Sequence, residues 1–116
     1  MDIERLDKLG QGAYEALGRC VEESLEEESS EHALICASAL VKLADAEGAN
    51  YFGTQGYYNY NTAMELGKRV LDFVEKEGVP SWMKDDAKQM LQTLRNGGWL
   101  DEKKKFPWIE EEPLKA

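Results

Sequence analysis

The sequence predicts an all-α protein: a small four-helix bundle, with a kink in its first helix, followed by an extended, aromatic-rich C-terminal tail. Three observations carry this expectation. Apolar residues recur at helical spacing through four stretches, and no alternating β-period of useful length appears anywhere. Residues 31–47, EHALICASALVKLADAE, place Glu31, Ser38, Lys42 and Asp45 on one narrow stripe, with almost only Ala, Leu, Ile, Val and Cys between them. A helix that apolar must be covered on two or three sides, so it is the central helix.

The elements follow in order. Residues 2–27 repeat Ile3, Leu6, Leu9, Ala13, Leu17, Cys20 and Ser24, flanked by Tyr14, Val21 and Leu25, as an amphipathic stripe. Gly10 and Gly12 interrupt it at about 1 kcal/mol each relative to Ala, which predicts a kink or break. Its end, EESLEEESS, crowds glutamates where the helix dipole disfavours anions, so fraying is expected there. Ser29 or Ser30 then serves as N-cap for the central helix, with Glu31 on the favourable side of its dipole. That helix stops at Gly48 or continues to about Thr54; the sequence supports both.

Residues 53–61, GTQGYYNYN, lack an apolar period and read as a loop. Thr62 and Glu65 match a capping box opening a third helix over residues 62–77, with Ala63, Leu66, Gly67, Val70 and Val74 on one face and Gly78 as its stop. Ser81 is the expected N-cap of a fourth helix with Met83, Ala87, Met90, Leu91 and Leu94 inward, ended by Asn96-Gly97-Gly98. Residues 1–98 thus form the bundle domain, and residues 99–116 a tail that packs through Trp99, Phe106 and Trp108 on the bundle or on a partner.

Composition bounds the function. The chain has 116 residues, 23 acidic and 14 basic side chains, and a net charge of −9. That balance opposes direct binding to nucleic acid or an anionic membrane and leaves basic partners open. The charged start MDIERLDKL and the absence of a ~20-residue apolar run predict a soluble, cytoplasmic protein. In such a compartment Cys20 and Cys36, both on apolar helical faces, are expected to be buried free thiols.

Catalytic and metal chemistry find little support. The single histidine, His32, reads as a surface residue near a helix start, and with the two cysteines it falls one ligand short of a structural zinc site. Neither a cofactor nor a metal is implied. Glu22, Glu23, Glu26 and Glu27 form a solvated acidic face or, in the sharper reading, a surface that imitates the phosphate track of DNA. Lys103, Lys104 and Lys105 between Trp99 and Phe106 suit nucleic acid only superficially, because Asp101, Glu102 and Glu110 to Glu112 cancel their charge.

The most site-like feature is the tyrosine-rich segment. Tyr51, Phe52, Tyr57, Tyr58 and Tyr60 supply amphipathic contact area on a Gly-rich loop, or else fold back to seal one end of the bundle. With Trp99 and Trp108 they are the candidate partner-binding residues. The reading is therefore a non-enzymatic protein–protein interaction module that binds another protein or itself; the alternative is an acidic DNA-mimic inhibitor of a DNA-acting protein. Trp82, Trp99, Phe106, Trp108, Ile109 and the tyrosines exceed what one small bundle readily covers, which predicts a homodimer.

Overall fold

The computed structural model describes residues 3–47 and 57–110, with side chains from Gly12 to Ala46 and from Tyr57 onward. Among them the chain is all-α: α1 Ile3–Glu26, α2 Ser30–Glu47, α3 Tyr60–Glu77, a 3-10 turn Ser81–Met83, α4 Lys84–Asn96 and a one-turn α5 Pro107–Glu110. No strand occurs among the described residues, and none of these helices is long and apolar enough to cross a membrane.

The central position of α2 follows from its side chains. Ala33, Leu34, Ala37, Leu40, Val41 and Ala44 are all at most 1% exposed, and the helix packs on α1, α3 and α4. Ser38, placed on the polar stripe by sequence, is also buried, whereas Ile35 is 51% exposed, so the outward stripe is rotated toward His32, Ile35, Ala39 and Lys42. A glycine on α3 allows close approach. A Cβ on Gly67 of α3 would stand 2.7 Å from Val41 Cγ2, so only glycine lets α3 sit this near α2.

Helix ends depart from expectation in instructive ways. α1 runs without interruption past Gly10 and Gly12, so about 1 kcal/mol of propensity at each does not break the helix. Its C-terminus is closed by a Schellman arrangement: the Ser29 amide donates to Ser24 O (2.9 Å) and the Glu28 amide to Leu25 O (3.1 Å), with Glu28 at φ 57°. Ser29 caps α2, its hydroxyl accepting the His32 amide at 3.4 Å and bonding His32 Nδ1 at 2.8 Å. Asn59, not Thr62, caps α3; its side chain accepts the Thr62 amide at 3.0 Å, while the Thr62 hydroxyl donates back to Tyr57 O. Ser81 opens the 3-10 turn, and α4 starts only at Lys84. Gly78 and Gly98, at φ 78° and 77°, end α3 and α4 where a left-handed residue is required.

The cysteines contradict the free-thiol expectation. Cys20 of α1 and Cys36 of α2 are half-buried, their Cα atoms 6.2 Å apart, and their sulfurs are joined in a disulfide. The reason is positional: both residues face the α1–α2 seam, at a separation within the usual bridging range.

The tail is not extended. Among the described residues it turns at 102–103, where Lys103 N–H donates to Asp101 Oδ1 at 2.9 Å, and then forms α5. Phe106 (1% exposed) and Ile109 (0%) enter the same core as Leu71, Val74 and Leu94.

Candidate functional site

Gly18 is the residue on which the site is built. It lies on the inward side of α1 between Tyr14 and Val21, and a Cβ there would fall within the Tyr58 ring, 2.7 Å from Cε1. The missing side chain lets that ring come against the helix backbone. One turn on, Glu22 accepts the Tyr58 hydroxyl on Oε1 and the Tyr57 hydroxyl on Oε2 at 3.4 Å. The two rings meet edge to face with centroids 4.8 Å apart.

The loop conformation that aims them is fixed from the other side. Thr62 and Asn59 at the start of α3 tie back to the Tyr57 carbonyl and to each other, so the tyrosine pair is held at both ends. The Glu22 carboxylate holds the Tyr58 phenol above its ordinary value of 10.0, with burial adding in the same direction, so the hydroxyl remains a donor at every physiological pH. Around Tyr58 the surface is completed by Arg19, Glu22, Glu23 and Glu26 of α1, which enclose a shallow, open and mostly polar depression. Arg19 pairs with Glu15 at 2.7 Å, leaving the outer carboxylates to set the local sign. Tyr57 is 66% exposed. The result is an acidic patch with an aromatic centre.

The other candidates are distributed elsewhere. Tyr60 packs with Trp99 at a ring separation of 5.9 Å, and the Trp99 indole N–H donates to its hydroxyl at 3.4 Å. Trp108 lies under Lys84, whose ammonium is 5.8 Å from the ring centroid, and its amide donates to Glu75 Oε1 at 3.0 Å. Both rings are partly buried against the core, as elements of packing. Tyr51 and Phe52 lie outside the described residues. Lys104 is engaged by Asp72 at 2.9 Å and by the Phe106 ring at 5.2 Å. Among the described residues no three metal-ligating side chains gather, and the sulfurs of Cys20 and Cys36 are used by each other.

Gly18 is the site residue that residue-type reasoning missed, and Glu22, singled out only as part of the acidic face, was not joined there to the tyrosines. A signal existed for the first: a glycine on the buried stripe of a helix marks a place where another group comes close. Comparison with protein-family models, curated proteins and solved structures finds no match.

Proposed function

We propose that this chain is a non-enzymatic interaction module, a four-helix bundle closed by its aromatic tail, whose α1 patch takes a basic segment of another protein. The observation that supports it is the pre-setting of Tyr57 and Tyr58. Rings locked on Gly18 and Glu22 lose little entropy on contact, and Glu23 and Glu26 beside them complement lysine or arginine. Self-recognition through this patch would bring like charges together. The DNA-mimic reading is less well supported, because Glu22, the first carboxylate of the acidic run, is already engaged by two tyrosine hydroxyls.

Gly18→Ala is the discriminating variant. It favours the helix by about 1 kcal/mol, which offsets part of the Tyr58 packing it displaces, so affinity capture from the native host should lose its partner while circular dichroism shows the helices intact. Retained capture by Gly18→Ala would overturn the proposal. Capture of DNA-acting proteins that survives Gly18→Ala but is abolished when Glu22, Glu23, Glu26 and Glu27 become Gln would favour the inhibitor reading instead. A second reading, homodimer formation, rests on Trp82 at 70% and Ile35 at 51% exposure. These two residues, rather than the tail, would carry it.

A further inference from the structure

A groove runs between α2 and α4, away from the α1 patch. Its floor is Val41 and Met90, and its rim is Ser38 and Lys42 from α2 with Gln89, Gln92 and Thr93 from α4. Two i, i+4 pairs face each other across it, Ser38 with Lys42 and Gln89 with Thr93, so their side chains converge on one space. The volume is about 270 Å³, just under the ~300–1,000 Å³ of pockets that enclose drug-sized ligands, which sets the scale at a small molecule.

The rim is chemically one-sided. It holds two hydroxyls, two carboxamides and one ammonium, all able to donate, and no acid lines the groove. The Gln92 amide nitrogen is committed to Asn96 Oδ1 at 2.9 Å. Ser38, Lys42, Gln89 and Thr93 make no side-chain hydrogen bond or ion pair among the described residues.

Ser38 is the informative member. A serine inside a helix ordinarily turns its hydroxyl back onto the carbonyl four residues earlier, as Ser24 does to Cys20 O at 2.7 Å. Ser38 does not, although it is only 6% exposed. Its hydroxyl opens into the groove instead, where an acceptor entering the groove can take its hydrogen bond.

We propose that this groove is a binding site for a small carboxylate with an apolar body, independent of the protein-partner surface on α1. The hydrocarbon covers Val41 and Met90. The carboxylate is held by the Lys42 ammonium and the Ser38 hydroxyl, with Thr93 and Gln89 as further donors opposite. An uncharged amphiphile of the same shape gains the floor but not the head-group contacts, and in a chain of net charge −9 an anion has no general attraction to the surface. Selectivity for the anion therefore depends on the rim.

The test uses the full chain and sodium hexanoate against 1-hexanol, followed by amide chemical shifts. Hexanoate should give saturable shifts in the millimolar range or tighter, centred on residues 38–42 and 89–93, and 1-hexanol should bind at least about tenfold more weakly, the worth of one charge-assisted contact. Lys42→Glu, an exposed site that leaves the fold intact, should weaken hexanoate about tenfold and leave 1-hexanol unchanged. Ser38→Ala should weaken hexanoate several-fold without lowering the melting temperature. Shifts that do not saturate, that centre elsewhere, that match between acid and alcohol, or that ignore Lys42→Glu would each overturn the proposal.

Discussion

Glu110 joins α5 to α4 through single atoms. Its Oε1 is 2.5 Å from Arg95 Nη1 and its Oε2 accepts the Phe106 amide at 2.7 Å, while Arg95 Nη2 donates to Lys104 O at 2.6 Å. The Arg95 guanidinium holds the Glu110 carboxyl below its ordinary 4.5; burial opposes this and the Phe106 amide assists it. A carboxylate depressed in the folded state contributes stability above its unfolded value, and that stability is lost as pH falls through about 4.5 and below. Glu110→Gln should therefore cost about 1–2 kcal/mol at neutral pH, discounted from the ~3–5 of a fully buried pair because both groups retain some solvent. Urea titrations should show the gap closing as pH drops below 4.5; a gap that persists unchanged in acid would mean the carboxylate plays no ionic part. Glu28 makes the opposite case. It occupies the left-handed C′ position of α1 that glycine fills at no steric cost, so Glu28→Gly should raise stability by about 0.5–1 kcal/mol, read from the denaturation midpoint at constant slope. Sequence could not reveal this. A helix end normally announces itself with Gly or Asn, and here the backbone imposes the turn on a residue chosen for charge.

At the scale of elements, the α1–α2 hairpin is the unit with a covalent lock. A bond between residues 16 apart restricts the unfolded chain by about 3 kcal/mol in the loop-entropy account, so replacing both Cys20 and Cys36 by Ser should lower stability by roughly that amount. Native protein should also resist thiol labelling until a reductant is added. Rapid labelling of untreated protein would remove the lock from consideration. The existence and order of the four long helices, the centrality of residues 33–44 and the stop at Gly78 were legible, because hydrophobic period and capping residues encode them locally. What was illegible depended on contacts between elements. The pairing of Cys20 with Cys36 needs the α1–α2 register, the capping of α3 by Asn59 needs the fold-back of Tyr57, and the attachment of Tyr58 to Glu22 joins residues 36 apart in sequence. Gly18 and Gly67 were visible as stripe glycines, yet only packing says which ring or methyl each admits.

The molecule as a whole is long, 56 × 29 × 21 Å with a radius of gyration of 14.7 Å, against about 13 Å for a compact chain of this size. The 24-residue α1, roughly 36 Å end to end, contributes to that length. A scattering radius moderately above the compact value therefore indicates the monomer's own shape, and association must be judged by mass. Sedimentation at tens of micromolar is the measurement; if a dimer forms through the exposed indole, Trp82→Ser returns it to monomer and tail substitutions do not. Phe106→Ala, by contrast, should cost about 3–5 kcal/mol of a total of ~5–15, so removing everything after Gly98 unfolds the chain instead of separating subunits. Circular dichroism of the truncated chain checks this. The disulfide also makes the polypeptide a line with a ring in it. Between Cys20 and Cys36 the oxidised chain bypasses about 50 Å of contour, which reduction restores, so a molecule stretched by its ends yields that extra extension only under reducing conditions. Any machine that unfolds proteins by drawing them through a narrow pore must pass two strands abreast at this point, or wait for the bond to be cut.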